Sequence, residues 1–339
     1  MAPTFNAAEV YTMAEMAQFY ESDGRLSTLI NNLRKDDPVM EHILWKMGNL
    51  TDGHKHKIVS KIPTPSFRRL YKGATRTKAG IAMVTETTTQ TVDRWEIDVD
   101  ELKIYEGNAE AQNSFRMQEG ALHIQGMREF VTTNLFYGDP DNDIDEPRGV
   151  AARYAYKDGP NVVDAGGTTG NQTSIFALVF GDRELFGFYP KNMKMGIQHE
   201  DLGVYDAYDE AGKPYRVVGD EWKWNFGFTI GDYTSCARLC NIPVANLSIT
   251  DPDDAGYIDL GNLTIDLKNK IPTRLRGRIK FYVGNAVMTA LEKQARSSKN
   301  MYLHYGQWQD SSEVLKMHGK PVFECDSISE TEAVLPALP

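Results

Sequence analysis

Cysteine is scarce in this chain. Among its 339 residues there are three, Cys236, Cys240 and Cys325. An odd number, with the first two spaced as C-x3-C, indicates neither a disulfide framework nor a zinc ribbon, and it fits a reducing cytosol. We therefore expect buried small side chains at Cys236 and Cys240 rather than a metal site.

Long hydrophobic runs are also missing. The longest, Ile175–Phe180, has six residues, whereas a helix that spans a membrane needs about 20. The first residues, MAPTFNAAEVY, lack a basic start followed by an apolar core, so they predict no signal peptide. We expect no membrane segment.

The chain has no excess of positive charge as a whole, because its net charge is −10. A protein whose main task is to grip nucleic-acid phosphates would be basic. From Gly53 to Thr85, however, there is no Asp or Glu at all, and eight Lys and Arg residues lie between positions 55 and 78. The rest of the chain therefore carries −18, the difference between −10 and +8.

Signatures of catalysis and of ligand binding are absent from the sequence. The seven histidines are scattered without H-E-x-x-H spacing, and no G-x-S-x-G motif occurs. The glycine-rich stretch Asp164–Gly170 lacks the G-K-[ST] of a phosphate loop. The acidic stretch Asp139–Glu146 resembles the start of a calcium loop but lacks its glycine and closing glutamate, so a solvated turn is expected. We predict no catalytic, cofactor-binding or metal-binding residue and no cofactor.

The first 50 residues predict three short helices. In residues 4–20 an apolar stripe recurs every three to four positions, and its expected contact residues are Val10, Met13, Ala17 and Tyr20. Pro38 suits the first turn of the third helix, residues 39–47. A small helical subdomain and an arm that docks on other subunits are both compatible with this pattern, and we favour the arm.

The acid-free stretch, residues 53–92, predicts a basic two-stranded ribbon. Ile81–Val92 is rich in Thr and Val and is typical of a strand. A solvated loop, a nucleic-acid ribbon and a ribbon lying on an acidic copy of the chain are the alternatives. Aromatic residues that could stack on bases are few, so we favour the acidic copy. The expected contact residues are Lys61, Arg68, Arg69, Lys72, Arg76 and Lys78.

A long helix is predicted from Asn108 to Tyr137, since this stretch is rich in good helix formers and contains no proline. Thirty residues make a rod of roughly 45 Å, which requires neighbours along its length. Seven- and four-residue spacing places four residues on one face, and we expect this face to pack. These residues are Phe115, Leu122, Gly126 and Phe130.

The remainder predicts a mixed α+β body. We expect Ser174–Phe180 and Glu184–Pro190 to form a hairpin across Gly181-Asp182. Tyr233–Cys240 is expected to be a short helix with its two cysteines on one face. Further helices are predicted at 261–270 and 286–295, and strands at 278–283 and 322–326.

Five long strings then occur in order along the chain. They are NLFYGD at 134–139, AGGTTGNQTSIFALVFGDRELFGFYPKNMKMGI at 165–197, YRVVGDEWKWNFGFTIGDYTSCARLCNI at 215–242, RIKFYVGNAVMTALEKQA at 278–295 and HGKPVFECDSISETEA at 318–333. With the order of arm, basic ribbon, long helix and mixed body, they resemble the major capsid proteins of short-tailed bacteriophages of the epsilon15 kind. The resemblance is strong over about residues 105–333 and loose before them.

The resemblance implies the α+β fold of tailed-phage major capsid proteins, called Hong Kong 97-like. Residues 1–52 would be the N-terminal arm and 53–95 the extended loop, a β-hairpin. Residues 96–149 would be the peripheral domain, with its spine helix at 106–137. Residues 150–270 would be mostly axial domain, and 271–339 would hold the remaining axial elements and the strands that return to the peripheral domain.

The resemblance also implies a function. The chain would self-assemble, as pentamers and hexamers, into the icosahedral shell that encloses the double-stranded DNA genome of a tailed bacteriophage. Implied partners are a portal protein at one vertex, a scaffolding or decoration protein, and packaged DNA through weak non-specific contact. The protein would be assembled in the host cytoplasm and reside in the virion. A decoration or binding module on the shell exterior, or an enzyme with a basic substrate loop, are the alternatives.

Overall fold

Helices and strands are mixed along the chain, so the predicted α+β class is confirmed. The computed structural model describes residues 37–105, 109–209, 211–249, 251, 253–296, 303–307 and 313–339. The helices are α1 (Val39–His42), α2 (Val99–Tyr105), α3 (Ala109–Tyr137), α4 (Val150–Arg153), α5 (Leu260–Lys270) and α6 (Asn285–Arg296). The predicted long helix is thus present as α3. Across the described part of the chain, no helix combines the length and apolarity that crossing a membrane requires.

The strands are distributed over the whole described chain. They are β1 (Trp45–Met47), β2 (Gly53–Lys61), β3 (Gly80–Thr87), β4 (Thr89–Asp98), β5 (Val162–Asp164), β6 (Gln172–Leu178), β7 (Leu185–Tyr189), β8 (Gln198–Tyr208), β9 (Pro214–Ile230), β10 (Ala237–Pro243), β11 (Lys280–Val283), β12 (Leu303–Gln307), β13 (Glu313–Met317) and β14 (Lys320–Glu324).

The chain divides into two compact units. The first contains Gln90–Val131 and Lys194–Asn225. The second contains Thr132–Met193, Phe226–Pro339 and the described residues before position 90.

The core of the second unit lies on a seven-stranded sheet with the order β12-β13-β14-β11-β6-β10-β5. Every residue of β6 is buried, because this central strand is covered on both faces. Since side chains alternate across a strand, Ile175 and Ala177 point to one face, where they join Leu260, Leu267 and other residues of α5 and α6 in one apolar cluster. On the other face the ring of Phe176 packs against that of Phe136, with centroids 5.0 Å apart.

The second unit also contains the basic ribbon and a further set of paired strands. Strand β1 runs parallel to β7, and β7 pairs antiparallel with the last residues of β9, from Gly227 to Ile230. Strands β2 and β3 form a two-stranded sheet of their own.

The first unit is built on the long strand β9. Strand β8 pairs antiparallel with β9 from Gln198–Lys223 to Tyr208–Pro214, and β4 is the other neighbour of β9. The residues of α3 up to Val131 belong to this unit.

Three local predictions are wrong. The helix predicted at 39–47 ends at His42, and Trp45–Met47 is strand β1, because these residues pair with β7 instead of continuing the helix. β6 pairs with β10 and β11, and β7 pairs with β1 and β9, so the predicted hairpin is not formed. Only an isolated bridge joins Phe180 to Leu185. The predicted cysteine helix is instead a short 3-10 turn, Tyr233–Ser235, followed by β10. β10 is buried along nearly its whole length, so its apolar residues do not show the alternation that marks a half-buried strand.

Candidate assembly interface

The basic ribbon is an antiparallel hairpin. Its register runs from Gly53–Thr87 at the base to Lys61–Gly80 at the far end, which confirms the predicted two-stranded ribbon. The strands are rich in Val, Ile and Thr, which favour extended backbone. Because an isolated hairpin is marginally stable in water, the hairpin needs a surface on which to pack.

The two faces of the hairpin differ in exposure. His54 and His56 on the inner face are half-buried, and Glu86 is buried. On the outer face, Val59 and Ile81 lie opposite each other, with 64% and 62% of their surface exposed. Exposed lysines flank this apolar pair on the same strand; they are Lys55, Lys57 and Lys61.

Beyond the hairpin, the connecting loop is open to solvent. Every residue from position 61 to 79 is exposed. Leu70 retains 87% of its surface exposure, and Phe67 and Tyr71 are fully exposed. Three large apolar side chains that are exposed within five positions of the chain indicate an interaction site.

The loop also contains all six basic residues that the sequence singles out. These are Lys61, Arg68, Arg69, Lys72, Arg76 and Lys78, and each is exposed. The guanidinium of Arg68 donates a local hydrogen bond to the Lys72 carbonyl oxygen, with a distance of 2.5 Å. The structure therefore brings the six residues into one segment, and their contact with another subunit stays a prediction.

An ion pair attaches the base of the hairpin to the rest of the second unit, and the sequence analysis did not predict it. Glu86 accepts a hydrogen bond of 2.6 Å from Arg153, whose side chain is 2% exposed. Arg153 also donates to the carbonyl oxygens of Arg148 and Phe228. Glu86 is the first acidic residue after the acid-free stretch, and that isolation is the signal that could have identified it.

The four predicted contact residues of the N-terminal arm, Val10, Met13, Ala17 and Tyr20, lie outside the described residues.

The predicted packing face of α3 is only partly buried. Phe115 is buried and Leu122 is half-buried. Gly126 has nothing within 4 Å of its Cβ position, and Phe130 is 53% exposed. The packing of Gly126 and Phe130 stays a prediction.

The buried residues of α3 in the first unit follow a different line. Phe115, Glu119, Gly120, Met127 and Val131 are buried, and apart from Gly120 they recur in multiples of four positions. Each step of four residues rotates about 40° around a helix with 3.6 residues per turn. Between Phe115 and Val131 the buried side of the helix therefore turns by about 160° around the helix axis. Phe130 then lies outside the buried side.

Charged side chains join α3 to the sheet of the first unit. Arg116 donates two hydrogen bonds to the carboxylate of Asp220, at 2.9 and 2.7 Å, and forms an ion pair of 3.1 Å with Asp201. Asp220 is buried and also lies 2.7 Å from Nε2 of His199. A buried carboxylate with several donors is satisfied rather than available for chemistry.

A second contact between α3 and the sheet uses aromatic rings. The ring of His123 stacks on that of Trp222, with centroids 4.9 Å apart and an angle of 7°. Its Nδ1 lies 2.6 Å from Oδ2 of Asp93. The hydrogen bond to Asp93 raises the pKa of His123, against the effect of burial.

The cysteines are inert at neutral pH. All three are buried and free. Burial raises the pKa of Cys236 to about 11 and that of Cys240 to about 12, so both thiols stay protonated and are poor nucleophiles and poor metal ligands. Within the described ranges no group of three His, Cys, Asp or Glu side chains is arranged to hold a metal ion.

A family model described as major capsid protein GP7 matches residues 21–336. A chain in the structure of bacteriophage Epsilon15 is similar to this chain, with 24% identity, a TM-score of 0.76, and coverage of 97% of this chain and 98% of that one. The bacteriophage JBD30 capsid shares 7% identity, with a TM-score of 0.52 and coverage of 88% and 93%. A search of curated proteins finds no match.

The two structural likenesses show the fold, which is that of phage capsid proteins and confirms the Hong Kong 97-like prediction. The family model spans most of the chain and shows the family. A capsid family implies a structural role rather than catalysis. The chain belongs to the major capsid protein GP7 family and is a structural protein that forms the virion shell of a bacteriophage.

Proposed function

We propose that this chain assembles with copies of itself, as pentamers and hexamers, into a closed icosahedral shell around the double-stranded DNA genome of a tailed phage. The observation that carries the proposal is the hairpin of β2 and β3 with its open loop. A segment with 19 consecutive exposed residues, from position 61 to 79, gains little from its own chain and needs a second surface.

The chemistry of this segment fits a second copy of the chain. Its outer face offers Val59 and Ile81 as an apolar centre, and its loop supplies six positive charges. Outside positions 53–85 the chain carries −18, so a neighbouring copy is an acidic surface. Charge complementarity of this kind sets register and speeds docking more than it adds affinity.

The predicted division of the chain follows from the same proposal. Residues 1–52 act as an arm and 53–95 as the extended loop, and both reach adjacent subunits. Residues 96–149 form the peripheral domain, and residues 150–270 mostly form the axial domain. Each contact can be weak, because a subunit held at several places is bound by the product of many small affinities. A portal, a scaffolding or decoration protein and weakly held DNA are the further partners.

The test is the size of the particles that the purified protein forms. We expect sedimentation and negative-stain imaging to show hollow shells, or sheets and tubes of rings, for the natural sequence. Arg68→Glu with Arg69→Glu should prevent assembly and leave a folded subunit, since the reversed charges repel an acidic neighbour. Lys191→Glu with Lys194→Glu makes the same change of charge at exposed positions outside the hairpin and its loop and should still assemble.

Normal shells from the Arg68/Arg69 variant would contradict the role given to the loop. A monodisperse monomer of the natural sequence at low and high salt, with and without co-expressed phage structural proteins, would contradict self-assembly. It would also favour the alternative of a decoration module.

A further inference from the structure

Two histidines lie side by side where the hairpin meets its own subunit. His54 and His56 are two residues apart on the inner face of β2, with ring centroids 6.1 Å apart and an angle of 28°. Nδ1 of His54 and Nε2 of His56 are buried and have no hydrogen-bond partner. The other ring nitrogen of His56 lies 3.4 Å from the hydroxyl of Thr229.

The surroundings of the pair are mostly apolar, with two positive groups and one carboxylate nearby. The ring of His54 packs on Phe186 and Phe188, with centroid distances of 5.4 and 5.6 Å. Lys46 is near His54, and Arg153 and Glu86 are near His56. The carboxylate of Glu86 is already bound by Arg153 at 2.6 Å. The groups that face the pair from packed elements are therefore Lys46 (β1), Glu86 (β3), Arg153 (α4), Phe186 and Phe188 (β7), and Thr229 and Ile230 (β9).

This environment accepts neutral rings and resists charged ones. A protonated histidine is a donor at both nitrogens, and Nδ1 of His54 and Nε2 of His56 are buried without a hydrogen-bond partner. For His56 the backbone of Ile230 offsets part of this cost, because its hydrogen bond favours the charged ring. Burial lowers the pKa of both histidines; the neighbouring ring and Lys46 lower that of His54 further, and for His56 the effect of Arg153 is opposed by Glu86. Two positive charges side by side would also repel each other.

We propose that His54 and His56 form a proton-operated latch: when neutral they hold the base of the hairpin on its own subunit, and when protonated they release it. The contact is inside one chain, so the latch does not depend on shell formation. It adds to the assembly function a pH control over the angle at which the hairpin leaves the subunit.

The root of the hairpin is held by bonds that do not titrate. The side chain of Asn49 accepts a hydrogen bond from the Lys55 amide at 2.7 Å and donates one to its carbonyl oxygen at 2.6 Å. Thr88 donates its backbone N–H to the carbonyl oxygen of Asp52 at 2.9 Å. Protonation therefore tilts the hairpin about a fixed root and leaves the pairing of β2 with β3 intact.

The test is a distance between spin labels within one subunit. Ser66→Cys labels the loop and Lys293→Cys labels an exposed site on α6 of the same unit, while the native cysteines are buried. Dilution with unlabelled protein removes distances between subunits. From pH 8 to pH 5.5 we expect the distance distribution to shift to a second, broader population. The equilibrium should change by up to tenfold per pH unit for each histidine, hence up to a hundredfold for the pair.

The double variant His54→Gln with His56→Gln should abolish the shift, and each single variant should reduce the slope to that of one histidine. His318→Gln is the matched control, because burial also lowers the pKa of this half-buried histidine elsewhere in the unit; it should shift as the natural sequence does. The single variants keep the test decisive if the double variant unfolds at pH 8. An unchanged distribution in the natural sequence, or an unchanged shift in the glutamine variants, would overturn the latch.

Discussion

Gly120 and Gly126 in α3 have opposite surroundings. They show how an added Cβ atom can favour the helix and at the same time disturb a contact. A Cβ on Gly120 would lie 3.2 Å from an aromatic carbon of Trp222, whereas a Cβ on Gly126 would meet nothing within 4 Å. Gly120 therefore lets the helix approach the indole closely. Among the residues that the structure describes, Gly126 has no such role, and it costs the helix conformational entropy.

Gly126→Ala should stabilise the unassembled subunit by about 0.5–1 kcal/mol, because alanine is the better helix former and nothing obstructs its methyl group. Gly120→Ala is the matched control, since the same helical gain is offset by the tight contact with Trp222. Denaturant unfolding of the two variants and the natural sequence measures both effects. Equal stabilisation by the two changes would show that the indole moves aside at no cost.

At the scale of elements, α3 is tied to the sheet of its unit by a titrating contact. His123 on the helix meets Asp93 on β4 and Trp222 on β9. Because Asp93 raises the pKa of His123, the folded state holds the proton more tightly than the unfolded chain does. The resulting stability is fully present below about pH 6.5, the ordinary pKa of histidine, and is lost as pH rises through the raised value.

The free energy of unfolding should therefore fall between pH 6.5 and pH 8.5 more steeply for the natural sequence than for His123→Gln. His54 and His56 do not disturb this comparison, because both proteins contain them and their contribution to the pH dependence is the same in the two curves. Denaturant unfolding at a series of pH values gives the two curves. Parallel curves would mean that Asp93 does not hold the proton on His123.

Elements with a strong local pattern could be predicted from the sequence. The hairpin of β2 and β3 and the helix α3 are long and have clear composition, and both are present. The pairing of β6 could not be predicted, because adjacency in the sequence favours the strand of Glu184–Pro190, whereas the buried sheet selects β10 and β11. The prediction of a helix at Tyr233–Cys240 was wrong because a spacing of four residues between two cysteines does not distinguish a helix from a strand that is buried on both faces.

The candidate interface was predictable in part for the same reason. The six basic residues of the loop stand out by charge alone. The contacts of His54 and His56 and the Glu86–Arg153 ion pair form only where β3, α4, β7 and β9 come together at the hairpin base. These elements are far apart in the sequence, so no local sequence pattern predicts the contacts. The drift of the buried line along α3 likewise depends on the sheet against which the helix packs.

For the whole molecule, the separation of charge is the dominant feature. A basic segment with +8 is attached to a chain that otherwise carries −18. An acidic body lowers the affinity for packaged DNA, since binding to phosphates comes from the release of counterions by clustered Lys and Arg. Under the function proposed above, such a surface would enclose a genome and bind it only weakly.

The unassembled subunit should therefore bind duplex DNA no more tightly than about 10⁻⁴ M at ~150 mM salt, the weak end of non-specific binding. Fluorescence anisotropy with a labelled duplex at several salt concentrations measures this affinity. Arg68→Glu with Arg69→Glu identifies any low-salt binding by the loop, which it should remove. Tight, salt-sensitive binding near physiological ionic strength would contradict the expectation.

The exposed loop has a consequence for the lifetime of the protein in an infected cell. Six Lys and Arg residues stand in an open, irregular segment between positions 61 and 79, and such segments are where proteases cut most readily. A subunit that finds no neighbour keeps this segment available for cleavage, and one whose loop lies on a neighbour withdraws it. Degradation would then remove surplus or misassembled subunits selectively, so the segment used for joining would also serve as the signal for turnover.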